Sequence, residues 1–129
     1  MSTRGQVAIL DSDGKVRSIY NHFDSYFDGL GKTLVSNFST EEKVKKLIER
    51  GDGSYVLDED PYSDGNTEAV VFENEDTWLK FILDDVFMEY GYIWKDGAWY
   101  GFDGYERNFK GVGKLNDDGW PEGYEKPKE

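Results

Sequence analysis

The 129-residue chain contains no cysteine. That absence removes disulfides, thiolate metal sites and thiol nucleophiles together, and it is compatible with a reducing cytosol. Histidine occurs once, as His22. Two-histidine metal motifs and the two-histidine phosphodiesterase arrangement are therefore excluded by count, and no nucleophile-elbow pattern accompanies His22 to suggest a serine triad. Positive charge is also scarce: 15 Lys and Arg face 27 Asp and Glu, for a formal charge of −12. Such a field repels polyanions, so generic DNA or RNA binding is not expected. Apolar runs are short, and none approaches the roughly 20 residues of a spanning helix. The opening MSTRGQVAIL lacks the long apolar core of a signal peptide. These absences together predict a cytoplasmic protein with no membrane partner.

What the chain does contain is aromatic: 4 Trp, 9 Tyr and 8 Phe, 16% of all residues, enough to build one core. Gln6-Val7-Ala8-Ile9-Leu10 is apolar on both faces, as a central strand requires, and Asp13-Gly14 supplies left-handed turn residues for a hairpin. On the returning strand, Val16 to Phe23, alternation places Val16, Ser18, Tyr20 and His22 on one face and Arg17, Ile19, Asn21 and Phe23 on the other. A first helix is expected from about Leu30 to Phe38. A second follows, opened by a Ser39-Thr40-Glu41-Glu42 capping box, with Val44, Leu47 and Ile48 as its buried stripe and Gly51 as its end.

The next stretch reads as loop, with Tyr55-Val56-Leu57 as a short edge strand. Ala69 to Phe72 predicts another strand, and Asn74 opens a helix that aligns Trp78, Phe81 and Ile82. A final hairpin runs from Val86 to Trp94, turns at Lys95-Asp96-Gly97 and returns over Ala98 to Phe102. The expected fold is α+β: an antiparallel sheet with two or three helices packed mainly on one face. Residues 1–102 form the single domain, and 103–129 an extended, partly ordered acidic tail. The two-faced apolar strands demand cover on the second face, from the tail or from a second copy, so a homo-oligomer is expected.

No cofactor or metal site is expected. Asp11-Ser12-Asp13-Gly14 fails the calcium-loop pattern because glycine falls at the fourth position and His22 at the twelfth. Asp58-Glu59-Asp60 with Asp64 reads as a solvated acidic loop. Two aromatic concentrations are the stronger candidates. Tyr20-Asn21-His22-Phe23-Asp24-Ser25-Tyr26 combines flat faces, hydrogen-bonding groups and an imidazole at a strand end. The closing hairpin, with Trp94 and Trp99 across the turn, offers a stacking platform for a planar base. Of the four arginines, Arg4 and Arg107 are candidates for a ligand phosphate, whereas Arg50 suits a helix C-terminus.

The sequences Ser2-Thr3-Arg4-Gly5, Tyr20-Asn21-His22-Phe23-Asp24-Ser25-Tyr26 and Gly29-Leu30-Gly31 form an STRG…YNHxDxY…GLG pattern that resembles a group of small bacteriophage proteins. Glu89-Tyr90-Gly91-Tyr92-Ile93-Trp94 and Trp99-Tyr100 look like that group's closing hairpin. Phe27 stands where a proline often follows the tyrosine. The functional family connected to this pattern is the phage Thoeris anti-defence sponge, which sequesters cyclic ADP-ribose isomers. The resemblance implies a non-enzymatic, oligomeric protein of the infected host's cytoplasm that binds a nucleotide-derived signal without cleaving it. It matches Arg4, Tyr20, Asn21, His22, Asp24 and Tyr26 to the motif. Two other classes stand beside it. One is an acidic inhibitor that mimics DNA on a defence enzyme, although the acids here are interspersed with lysines, as in Glu41-Glu42-Lys43. The other is a nucleotide-signal hydrolase using His22 and Asp24.

Overall fold

The computed structural model describes residues 3–51, 68–84, 89–103 and 113–122. The expected strand at Tyr55-Val56-Leu57, the acids Asp58 to Asp64 and Arg107 lie outside those residues. The α+β class holds: among the described residues six strands form one mostly antiparallel sheet, with three α-helices packed on it.

Strand β1 (Gly5–Leu10) and β2 (Val16–Asn21) make the first hairpin, with Val7 opposite Ile19 and Leu10 opposite Val16. Its loop is longer than a two-residue turn. The Gly14 amide donates to the Asp11 carbonyl at 2.9 Å, and Gly14 alone takes the left-handed conformation, at φ 86°. The second hairpin joins β4 (Tyr90–Lys95) to β5 (Ala98–Asp103) through Asp96 and Gly97, both at positive φ, the mirror-image turn whose twist matches that of the strands. Between the hairpins comes β3 (Val70–Phe72), which pairs with β2; β6 (Gly113–Lys114) pairs with β5. The sheet order is β3-β2-β1-β4-β5-β6.

The one parallel pair is β1 with β4, Val7 beside Tyr92. Parallel neighbours cannot be joined by a tight turn. Because β3 also runs parallel to β4, the chain must cross over β2 and β1, and helix α3 (Glu75–Asp84) makes that crossing. The second face of the sheet is thus covered by α3. Trp78 and Ile82 of α3 pack there with Ala8, Val16, Ile93 and Phe102. Polar groups on this face are joined in series: the Trp78 indole donates to Ser18 Oγ at 3.0 Å, and Ser18 donates to Gln6 Oε1 at 2.6 Å. Phe81, expected on the buried stripe, is 42% exposed and leans on Phe72 at 5.2 Å instead. Trp78 and Ile82, four residues apart and so one turn along the helix, reach the sheet centre.

The opposite face carries the larger cluster. Val7, Ile9, Ile19, Tyr92, Trp94 and Trp99 pack under α1 (Lys32–Asn37) and α2 (Glu41–Arg50). Thr40 caps α2, not Ser39: its hydroxyl accepts from the Lys43 amide at 3.3 Å, so the cap lies one residue later than the expected box. Gly51, at φ 84°, ends the helix as expected. Where the first helix was expected to begin there is a single π-helical turn, Phe27–Gly31, and α1 starts after it.

Part of the expected tail belongs to the domain. Beyond β6, Leu115 bridges to Pro121 and is buried in the larger cluster, while Trp120 lies against Phe27 at 5.4 Å. Gly119, at φ 87°, sits directly on the backbone of Gly31 and Lys32, so closely that any Cβ would collide with main-chain atoms. No helix among the described residues is long and apolar enough to cross a membrane.

Candidate functional site

The end of the sheet where β2 stops and β1 and β4 begin is bounded by the loop of residues 22–31. Its conformation is fixed by main-chain bonds and by a buried serine. The Ser25 amide donates to the Thr3 carbonyl at 3.2 Å, and Leu30 N donates to the Asp24 carbonyl at 2.9 Å. Ser25 is wholly buried against Gly5, where a Cβ would approach its side chain to 2.8 Å. From below, the Tyr92 hydroxyl donates to the Ser25 carbonyl at 2.6 Å. Burial is the main cause that pushes the Tyr92 phenol well above its ordinary value, with the charges of Tyr90, Asp103 and Asp28 adding to it.

Asn21 is a brace in this loop. It is 2% exposed, and its amide donates to the Phe23 carbonyl and to Ser25 Oγ, both at 2.8 Å. Its Oδ1 has no hydrogen-bond partner within the protein. Leaving a buried amide oxygen so costs the folded state about 1–3 kcal/mol.

On this base the structure brings together two neighbouring groups. Tyr20 and His22 share a face of β2 and its extension, and the Tyr20 hydroxyl lies 2.6 Å from His22 Nδ1, with the donor set by the imidazole tautomer. Phe23 meets the His22 ring edge-on at 4.5 Å. Past Ser25, Tyr26 projects outward, 38% exposed. The charge of Asp24 pushes its phenol above the ordinary value, followed by partial burial, a hydrogen bond to Asp24 and the charge of Asp28. Asp24 holds a left-handed conformation, φ 58°, which acidic side chains tolerate better than most. Gly29 is required beneath them: a Cβ there would come within 2.7 Å of the Asp24 carbonyl oxygen and 2.8 Å of the Tyr26 ring. Arg4, half-buried at the start of β1, accepts the Glu89 and Tyr90 amides at its carbonyl, 3.0 and 3.2 Å, and so enters the same end of the sheet.

Trp94 and Trp99 do not join this group. They are 6% and 3% exposed and meet edge to face at 5.6 Å under α1 and α2, and the Trp99 indole donates to the Phe38 carbonyl at 2.7 Å. Both rings lie in the core, packed against each other and away from the strand-end loop. The period-two alternation of the hairpin placed both on one side of the sheet but did not say which side the helices cover. Arg107 lies outside the described residues. Sequence reasoning overlooked Ser25 and Tyr92 as the supports of the loop; the one signal available was that Gly5 and Ser25 are both small in otherwise bulky segments.

Among the described residues no group of three or more His, Asp or Glu side chains is arranged to hold a metal ion. The arrangement offers instead aromatic edges, an imidazole–phenol pair and a carboxylate–phenol pair on a rigid loop, the inventory of a recognition surface. No protein-family model, curated protein or solved structure matches the chain.

Proposed function

We propose that the protein binds and sequesters a small nucleotide-derived signal, such as a cyclic ADP-ribose isomer, without cleaving it, as a phage anti-defence protein acting in the host cytoplasm. The observation that carries this reading is that Tyr20 and His22 pair at the end of β2 while Asp24 and Tyr26 pair on the braced loop that follows it. These are the motif residues of the sponge resemblance. A ligand with a purine, riboses and a pyrophosphate calls for aromatic contact, hydroxyl and carboxylate partners, and an arginine. Tyr20, His22 and Tyr26 supply the first two, Asp24 a ribose acceptor, and Arg4 the charge. Rigid support lowers the ordering cost of binding, and slow release rather than turnover is what sequestration needs. The assembly is a dimer or higher oligomer in this reading. With both sheet faces covered by helices, the surface that favours self-association is the β3 edge, where Val70 and Val71 are 55% and 59% exposed.

Calorimetric titration with cyclic ADP-ribose isomers and cyclic oligonucleotides, followed by heat denaturation and recovery of the ligand, tests the proposal. Tight binding with intact ligand returned is the expected result. Altered ligand would make the protein a hydrolase, and no heat with any nucleotide would favour the protein-binding inhibitor. Tyr20→Ala and Arg4→Ala are each expected to abolish binding in a folded domain; retained affinity in both would remove the assigned site. Light scattering at working concentration is expected to give more than the monomer mass.

A further inference from the structure

Lys43, Lys46 and Arg50 stand at i, i+3 and i+7 along α2. At 3.6 residues per turn these three cations fall within about 60° of one another around the helix. Leu47 lies beside them on the buried side, and across from the row stand Asn37 and Phe38 at the end of α1. Between them is a cavity of about 520 Å³, and of the described residues lining it Glu49 is the one acid. A cavity of this size is in the range of small-molecule sites, roughly 300–1,000 Å³.

The placement runs against the rest of the molecule. In a chain of net charge −12, three of 15 basic residues line one concavity, while two of the acids of α2, Glu41 and Glu42, are not among the residues that line it. Two α2 lysines pair one turn back, Lys45 to Glu41 at 3.7 Å and Lys46 to Glu42 at 3.6 Å. Those are exposed ion pairs, which are weak and yield to a multivalent anion. The chemistry of the walls is divided. One side carries an arginine fork and two ammonium groups, suited to a phosphate; the floor of Phe38 and Leu47 is apolar; the Asn37 amide has donors and an acceptor for hydroxyls or a base edge.

We propose that this cavity between α1 and α2 is a binding site for a small phosphate monoester carried on a ring, of the nucleoside monophosphate or sugar phosphate class. It shares no residue with the strand-end loop and stands independently of the sequestration reading. The phosphate lies against Lys43, Lys46 and Arg50, and the ring lies over Phe38 and Leu47. Because the attraction is between a dianion and exposed cations, affinity falls as salt rises.

Amide NMR titration of the full chain with AMP, ribose 5-phosphate and inorganic phosphate tests the site. Saturable shifts in residues 37–50 are expected with AMP, with inorganic phosphate weaker. The K46Q/R50Q double variant alters two exposed side chains, so its spectrum in the absence of ligand should keep the native dispersion. In that variant AMP affinity is expected to fall at least tenfold. An unchanged affinity, or no saturable shifts at residues 37–50, overturns the site whatever happens at residues 20–26. Equal affinity for AMP and inorganic phosphate overturns the ring-binding floor. Shifts at 37–50 that persist in Tyr20→Ala support this site separately from the sequestration site; their disappearance in that variant, with the fold intact, overturns its independence.

Discussion

Two aromatic concentrations of nearly equal richness have opposite fates in this fold. In the closing hairpin Tyr92, Trp94, Trp99 and Phe102 are all buried, and two of them spend a polar atom inside the protein: the Tyr92 hydroxyl on Ser25, the Trp99 indole on Phe38. In the strand-end segment, Tyr20 and His22 are half-buried, Tyr26 is exposed, and their polar tips meet one another or Asp24. Composition alone does not separate the two. What separates them is position in the sheet: β4 and β5 have a neighbour on either side and helices on both faces, whereas residues 22–26 lie beyond the last ladder bond of β2. Aromatic residues in a central strand become core, and the same residues one step past a strand end become surface with a fixed shape.

The sharpest way to test that contrast is to remove a member of the buried set. Trp99→Ala vacates a core position and strands the Phe38 carbonyl, and is expected to cost about 3–5 kcal/mol in urea unfolding. Tyr92→Phe sits at the join between the two sets. It keeps the packing but leaves the Ser25 carbonyl without its donor, so a loss of about 1–3 kcal/mol is expected, together with faster hydrogen exchange at Ser25 and Leu30. The same variant tests pH dependence. The Tyr92 phenol is raised in the folded protein above its ordinary value of 10.0. Its contribution is therefore complete below that pH and lost as pH rises through the higher folded value. Wild-type stability is expected to decline in alkali, and Tyr92→Phe to decline less steeply, read by tyrosinate absorbance against circular dichroism.

On the exposed set, Tyr26→Ala is expected to move stability by no more than about 0.5 kcal/mol while lowering affinity for the nucleotide-derived ligand proposed above. A large stability loss there would erase the contrast. The smallest effect belongs to Asp24→Asn, which removes the charge that chiefly raises Tyr26. The Tyr26 phenol should then titrate closer to its ordinary value in an NMR titration, with no change in unfolding midpoint beyond that of a surface substitution.

Much of the local structure was legible in the sequence because local rules suffice for it. Alternation placed Val16 and Ile19 on opposite faces, the Asp96-Gly97 turn fixed the second hairpin, and the Val44, Leu47, Ile48 stripe with Gly51 delimited α2. The parallel pairing of β1 with β4 was not legible, since periodicity carries no information about which strand lies beside which. From that one missing adjacency followed the missing cover of the second face by α3, whereas the burial of Trp94 and Trp99 was decided by which face α1 and α2 occupy. The helix cap moved by one residue because Ser39 and Thr40 are chemically equivalent candidates. Of the candidate site, the Tyr20 to Tyr26 segment was visible as a cluster of polar-tipped aromatics at a strand end. Its supports, Ser25 and Tyr92, were not, for they act across 67 residues of chain.

The seat of Gly119 on Gly31 and Lys32 sets an order of events in synthesis. Residues 22–31 leave the ribosome before residues 92–120, yet the π-helical turn that ends this loop is packed by Trp120 and Gly119, and Ser25 is bonded to Tyr92. The first hairpin can close by itself within microseconds, yet the loop it carries gains its full set of contacts only once Tyr92, Gly119 and Trp120 have been made.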